Sequence, residues 1–149
     1  MTTTDAPTIT MQGPALVPVA AVTLLGSFGF TALGTVASAG ADDHGWGEFF
    51  TVCGFSLVAV TLVFGLVARL QASPGAGGVG LALAVFGLLT VLAFWAGVTP
   101  AFGVGGILLG LAARRTGRST SIGTCAIAVG ALAVIGYVAI YVSDWIVNL

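Results

Sequence analysis

Polar positions are so sparse in this chain that they punctuate long apolar runs. Residues 1–13, MTTTDAPTITMQG, are polar, weakly patterned and free of Lys and Arg, and read as a short flexible cytoplasmic tail. From Pro14 to Ala39 no charge occurs for 26 residues. A helix needs roughly 20 residues to cross a hydrocarbon core about 30 Å thick. Pro14 and Pro18 fall in the opening turn of this run, where a missing N–H costs little. A cleaved signal peptide ending at ASA (37–39) fits less well, because no basic residue precedes the apolar run and the run is too long.

The first polar break is GADDHGWGE (40–48), a loop with three of the five acids. A second apolar run, FFTVCGFSLVAVTLVFGLVA (49–68), stops at Arg69, and QASPGAGG (71–78) is a Pro/Gly turn. No charge then appears from Gly78 to Ala113. One helix of that length would measure about 54 Å, far more than a bilayer requires. Thr99-Pro100 divides it, with Thr99 read as an N-cap and Pro100 as the first helical residue. The last run is SIGTCAIAVGALAVIGYVAIYV (121–142), followed by the tail SDWIVNL.

The pattern therefore predicts an all-α, polytopic transmembrane bundle over residues 14–149. Its five spans lie near 14–39, 49–68, 78–97, 100–113 and 121–142, with four spans as the alternative. The fourth is short, about 21 Å if helical, and reads either as a crossing through a thinned bilayer or as a buried half-helix.

Charge sets the orientation. The chain has no lysine, and its four basic residues are Arg69, Arg114, Arg115 and Arg118. Five spans place all four on one side, whereas four spans would put Arg69 opposite the other three. Lys and Arg accumulate in cytoplasmic loops, so the five-span arrangement has its N-terminus inside and its C-terminus outside, in the plasma or inner membrane. Trp46, Trp95, Trp145 and Tyr141 then fall at the outer ends of their spans, where amphipathic rings favour the interface.

Composition agrees with a membrane protein. Hydrophobic residues make up 58% and charged residues 6% of the chain, too little polarity to cover a water-soluble domain of this size. The net charge of −1 and the short basic run argue against nucleic-acid binding. Cys53 and Cys125 lie in apolar runs without metal spacing and toward opposite ends of their spans, and read as unpaired, buried small hydrophobes.

The 23 glycines lie mostly within the spans. Glycine lets membrane helices approach closely, and small-xxx-small spacings mark such contacts. Gly106 and Gly110 form one on the fourth span. Ala126 and Gly130 form another on the fifth, with Gly123 a heptad before Gly130. Thr61 and Gly65 offer a similar notch on the second. Spans three to five are expected to pack as a tight sub-bundle.

The segments GVGGILLGLAARRTGRS and IGTCAIAVGALAVIGYV resemble a class of small Gly/Ala-rich multi-pass bacterial membrane proteins of unknown function. In these, a Gly-rich hairpin ends in a Gly-x-x-Ala-x-Arg-like segment and is followed by an Ala/Gly helix closing on Gly-Tyr. Gly110, Ala113, Arg114, Gly130, Gly136 and Tyr137 carry the likeness, which covers about residues 81–141. It implies a helical membrane fold and brings no catalytic residue.

Candidate chemistry is thin. Asp42, Asp43, His44 and Glu48 are weak candidates as ligands for a divalent metal, and a solvated outer loop is the preferred reading of them. No ionisable residue lies within 14–39, 49–68, 78–113 or 121–143, where a transporter or proton pathway would keep one. With one histidine and no phosphate loop, the chain does not read as an enzyme, and no cofactor is expected. Arg114, Arg115 and Arg118 could contact anionic lipid headgroups or a partner, besides signalling topology. The expected role is an accessory or assembly protein acting through helix contacts, with membrane lipids and a membrane-protein partner or second copy as its partners. The alternative is a small passive channel or transporter component.

Overall fold

The computed structural model describes residues 15–34, 44–117 and 120–147. All regular structure among them is helical: α1 (Leu16–Ala32), α2 (His44–Leu70), α3 (Ala76–Thr90), α4 (Thr99–Arg115) and α5 (Thr120–Val147). A 3₁₀ segment, Val91–Ala96, prolongs α3. Among the described residues, three stretches are long and apolar enough to cross a membrane: Trp46–Leu70, Ala76–Ala93 and Thr120–Ser143.

Several boundaries differ from the sequence expectation. α2 begins at His44 rather than near Phe49, so His44 and Glu48 stand on a helix and not in the expected loop. Neither Gly45 nor Gly47 interrupts its first turns. α5 runs on to Val147, through the SDW segment expected as a tail. Thr99 is not an N-cap: the cap position is Val98, with no side-chain capping bond, and Pro100 sits in the first turn.

The turn at 71–75 reverses the chain between α2 and α3. There the Gln71 N–H donates to the Val67 carbonyl (3.0 Å) and the Ser73 N–H to the Leu70 carbonyl (2.8 Å). α4 runs antiparallel to α3, and α5 antiparallel to α4: Gly103 lies beside Gly130, and Gly110 beside Gly123. Phe30 packs on Tyr137 and Tyr141, which sets the C-terminal half of α1 beside that of α5.

α4 is the centre of the fold. It packs most extensively on α5 and α3, and also touches α2 and α1. Thr99, Pro100, Ala101, Gly103, Gly105, Gly106, Leu109, Gly110 and Ala113 are all buried. Many large side chains instead point outward: Val22, Leu25, Phe50, Leu62, Leu89, Leu92 and Ile135 are among the exposed hydrophobics. Such a distribution suits a lipid environment, where tails solvate leucine well and small residues form the helix contacts.

The outer notch on α2 does not join this packing. Thr61 and Gly65 are exposed, and no atom outside its own helix backbone comes within 4 Å of a methyl placed on Gly65. Cys53 and Cys125 are both free thiols. Cys53 is half-buried, but Cys125 is exposed, contrary to its expected burial.

Candidate functional site

Three features stand out: a polar hairpin tip, a seam of glycines, and a basic end.

The hairpin tip joins α3 to α4. Ala93 leaves helical geometry (φ −112°, ψ 45°), and Gly97 turns the chain with φ +65°, a conformation that a side chain resists. Space also requires glycine at Gly97. A methyl there would sit 2.6 Å from Ser56 Oγ, 2.8 Å from Val52 Cγ1 and 3.6 Å from Thr31 Oγ1.

This break leaves backbone groups without helical partners, and hydroxyls answer them. Ser56 Oγ donates to the Gly97 carbonyl at 3.0 Å, across the fold. Thr99 Oγ1 donates to Thr90 Oγ1 at 3.1 Å, which in turn donates to the Gly87 carbonyl at 2.8 Å. Thr99 thus ties the two arms of the hairpin together, and that is why it does not cap α4. On α1, Thr23, Ser27 and Thr31 form a buried stripe, each hydroxyl donating to the carbonyl four residues earlier.

Beside the tip stands an aromatic group. Phe30 meets Tyr137 edge to face (centroids 5.9 Å), and Tyr137 lies 4.9 Å from Tyr141. Tyr137 is 1% exposed, and its hydroxyl makes no well-formed hydrogen bond among the described residues, with the Thr31 and Tyr141 side chains beside it. Tyr141, expected at the interface, is half-buried in this group.

The tip lies inside the apolar depth of the fold. From Ser56, which grips it, to Leu70 is roughly 21 Å of helix, whereas Trp46 to Arg69 is roughly 35 Å. The hairpin thus stops short of the end of the bundle that bears Trp46. Above it, Gly47, Glu48, Thr51, Val52, Phe55 and Ala96 line an open pocket of about 400 Å³.

Glu48 is the one metal candidate whose side chain is described, and it is exposed. Asp42 and Asp43 lie outside the described residues, and of His44 only its place at the start of α2 is described. Among the described residues no group of three His, Cys, Asp or Glu converges on a metal position.

The seam runs along α4. A methyl on Gly110 would sit 2.6 Å from the Gly123 carbonyl oxygen, 3.0 Å from Ile127 Cγ1 and 3.1 Å from Ala126 Cβ. One on Gly130 would meet the Gly103 carbonyl oxygen at 2.6 Å. Gly106, by contrast, faces α3: its methyl would meet Ala84 Cβ at 2.8 Å and the Gly80 carbonyl oxygen at 2.9 Å. The Gly106/Gly110 pair is therefore shared between two partners. Gly105 faces a third, Val63 of α2.

Sequence reading passed over the α3 side of this seam, Gly77, Gly80, Ala84 and Gly87. All four are buried, and their alternating three- and four-residue spacing was the available signal.

At the basic end, Arg69 closes α2 while Arg114 and Arg115 close α4. All three are exposed, and Arg118 lies outside the described residues. The α2–α3 turn and the antiparallel hairpin bring these two helix ends to the same end of the bundle, where Val67 and Ala113 share one buried cluster. Cations at helix C-termini also sit well with the helix dipole.

In comparisons with known proteins, no family model, no curated protein and no solved structure matches this chain.

Proposed function

We propose that this is a five-span protein of the plasma or inner membrane, N-terminus inside and C-terminus outside, acting as an accessory or assembly factor through helix contacts. The observation that carries the reading is the closed seam. Along α3, α4 and α5, glycine backbones approach so closely that no methyl fits at Gly103, Gly106, Gly110, Gly123 or Gly130. No lumen for water or an ion runs between those three helices at that level. The polar groups at the hairpin tip are hydroxyls and carbonyls, which can hold an irregular backbone at depth. Among the described residues, the groups hydrogen-bonded at the tip include no carboxylate, imidazole or amine to relay a proton or bind a charged solute.

The common end of Arg69, Arg114 and Arg115 supports the inside assignment. α1 and α4 have 17 residues each, about 25 Å of helix, so they cross with little tilt or with local thinning of the bilayer. A membrane-protein partner or a second copy would dock on the lipid-facing surface.

Topology is tested with reporter fusions after Leu70, Ser119 and Leu149. The first two are expected in the cytoplasm and the last outside; a cytoplasmic C-terminus overturns the five-span arrangement. The accessory role is tested by purification in mild detergent, where a discrete complex with a defined membrane protein is expected. Ion or solute flux through liposomes holding this protein alone overturns it in favour of a passive channel.

A further inference from the structure

The arginine end has more cationic capacity than its own fold uses. The carbonyls of Ala112, Ala113 and Arg114 near the end of α4 already have donors. Thr116 N–H donates to the Ala112 carbonyl (3.2 Å), Gly117 N–H to that of Arg114 (3.1 Å) and Thr116 Oγ1 to that of Ala113 (3.0 Å). Gly117, with φ +67°, closes the helix in the left-handed conformation common at helix C-termini. At the end of α2, Gln71 and Ser73 N–H groups take the Val67 and Leu70 carbonyls. The guanidinium groups of Arg69, Arg114 and Arg115 are therefore not needed as caps.

Among the described residues they have no acidic neighbours. Glu48 is the only acid whose side chain is described, and it stands near the opposite end of α2. The Arg114 stem lies against α5, with Cγ 3.0 Å from where a Gly123 methyl would be. It is seated on the bundle while its head is free. Arg69 on α2 and Arg114 and Arg115 on α4 are exposed at this same end of the bundle.

We propose that this end of the bundle binds the phosphate headgroups of anionic phospholipids. Charge complementarity carries the assignment. Exposed, uncommitted guanidiniums at the polar boundary of an apolar bundle meet the phosphate layer, and a planar guanidinium can hold phosphate through two parallel hydrogen bonds. The inference rests on insertion of the bundle in a bilayer, not on the accessory role.

The full-length protein is reconstituted in phosphatidylcholine vesicles, and the association of spin-labelled phosphatidylglycerol is measured relative to spin-labelled phosphatidylcholine. A clear preference for phosphatidylglycerol is expected, weakening as salt is raised. Each arginine removed should lower it by up to about fivefold, the equivalent of the ~1 kcal/mol that a basic residue contributes near an anionic surface. The R114Q/R115Q protein is therefore expected to lose most of it. The R114K/R115K protein should keep the salt-sensitive part and lose the part owed to bidentate bonding.

Two results overturn the proposal: no preference in the unaltered protein, or an unchanged preference in R114Q/R115Q. Loss of the preference on adding inorganic phosphate at constant ionic strength also overturns it, by assigning the site to a free anion. Should R114Q/R115Q not fold, the salt titration of the unaltered protein and the single variant R69Q decide the matter. Reporter-fusion topology is read separately, so an inverted or four-span protein is recognised as such.

Discussion

A close backbone approach between α4 and α5 makes the sharpest prediction. Gly110→Ala adds one methyl to the α4–α5 seam, 2.6 Å from the Gly123 carbonyl oxygen, 3.0 Å from Ile127 and 3.1 Å from Ala126. The nearest of these is backbone, so a side-chain rotation cannot relieve it. Ordinary van der Waals contact begins near 3.4 Å, so α4 and α5 must part locally by about 0.8 Å, loosening their other contacts. Overpacking of this kind typically costs about 1–3 kcal/mol. The same methyl at Gly65 on α2 meets nothing within 4 Å, and replacing glycine by alanine in a helix is otherwise favourable by up to about 1 kcal/mol in water. Gly110→Ala should therefore unfold at clearly lower denaturant than the unaltered protein, and Gly65→Ala at the same or slightly higher. Unfolding in mixed micelles of rising SDS fraction, followed by the lost tertiary signal, measures both. Equal stability of the two variants refutes the packing argument, because helix propensity alone cannot separate them.

Three further outcomes concern the hairpin tip and use the same assay. Ser56→Ala removes the hydroxyl that answers the Gly97 carbonyl and should cost about 0.6 kcal/mol, with ~1.7 as the upper end for such bonds in membranes. Thr61→Ala, whose hydroxyl bonds only within its own helix, should change stability less. Gly97→Ala should be the most damaging of the tip variants: left-handed backbone with a side chain costs roughly 1–2 kcal/mol, and the methyl would also lie 2.6 Å from Ser56 Oγ. Tyr137→Phe should change stability by no more than about 1 kcal/mol, since it removes a buried hydroxyl that makes no well-formed hydrogen bond among the described residues and keeps the ring packing on Phe30. A loss above about 1 kcal/mol, the usual net value of a hydrogen bond, would show that this hydroxyl is engaged.

The sequence by itself determined the helical class, the approximate positions of the breaks and the location of charge. Those follow from local terms. Each residue has its own transfer free energy into hydrocarbon, so hydropathy locates apolar runs whatever they pack against. Pro100 favours a helix start and QASPGAGG interrupts a helix, each through its own backbone chemistry, although the hairpin break itself falls at Ala93 and Gly97. Glycine at Gly106, Gly110, Gly123 and Gly130 announced close contact somewhere, though not with which partner.

Tertiary structure decided the rest. A helix of 17 residues became the centre of the fold because its glycines let three neighbours approach, Gly110 to α5, Gly106 to α3 and Gly105 to α2. Glycine spacing has no preferred direction, so the Gly106/Gly110 pair could not reveal that its members face different helices. Thr99 read as a cap because that is the local role of a threonine before proline. Its hydroxyl went instead to Thr90 on the facing arm of the hairpin. Ser56 carried no signal at all, since a lone serine in an apolar helix ordinarily bonds its own backbone. Its partner, the Gly97 carbonyl, lies 41 residues away in sequence and comes within reach only when the hairpin tip is seated against α2.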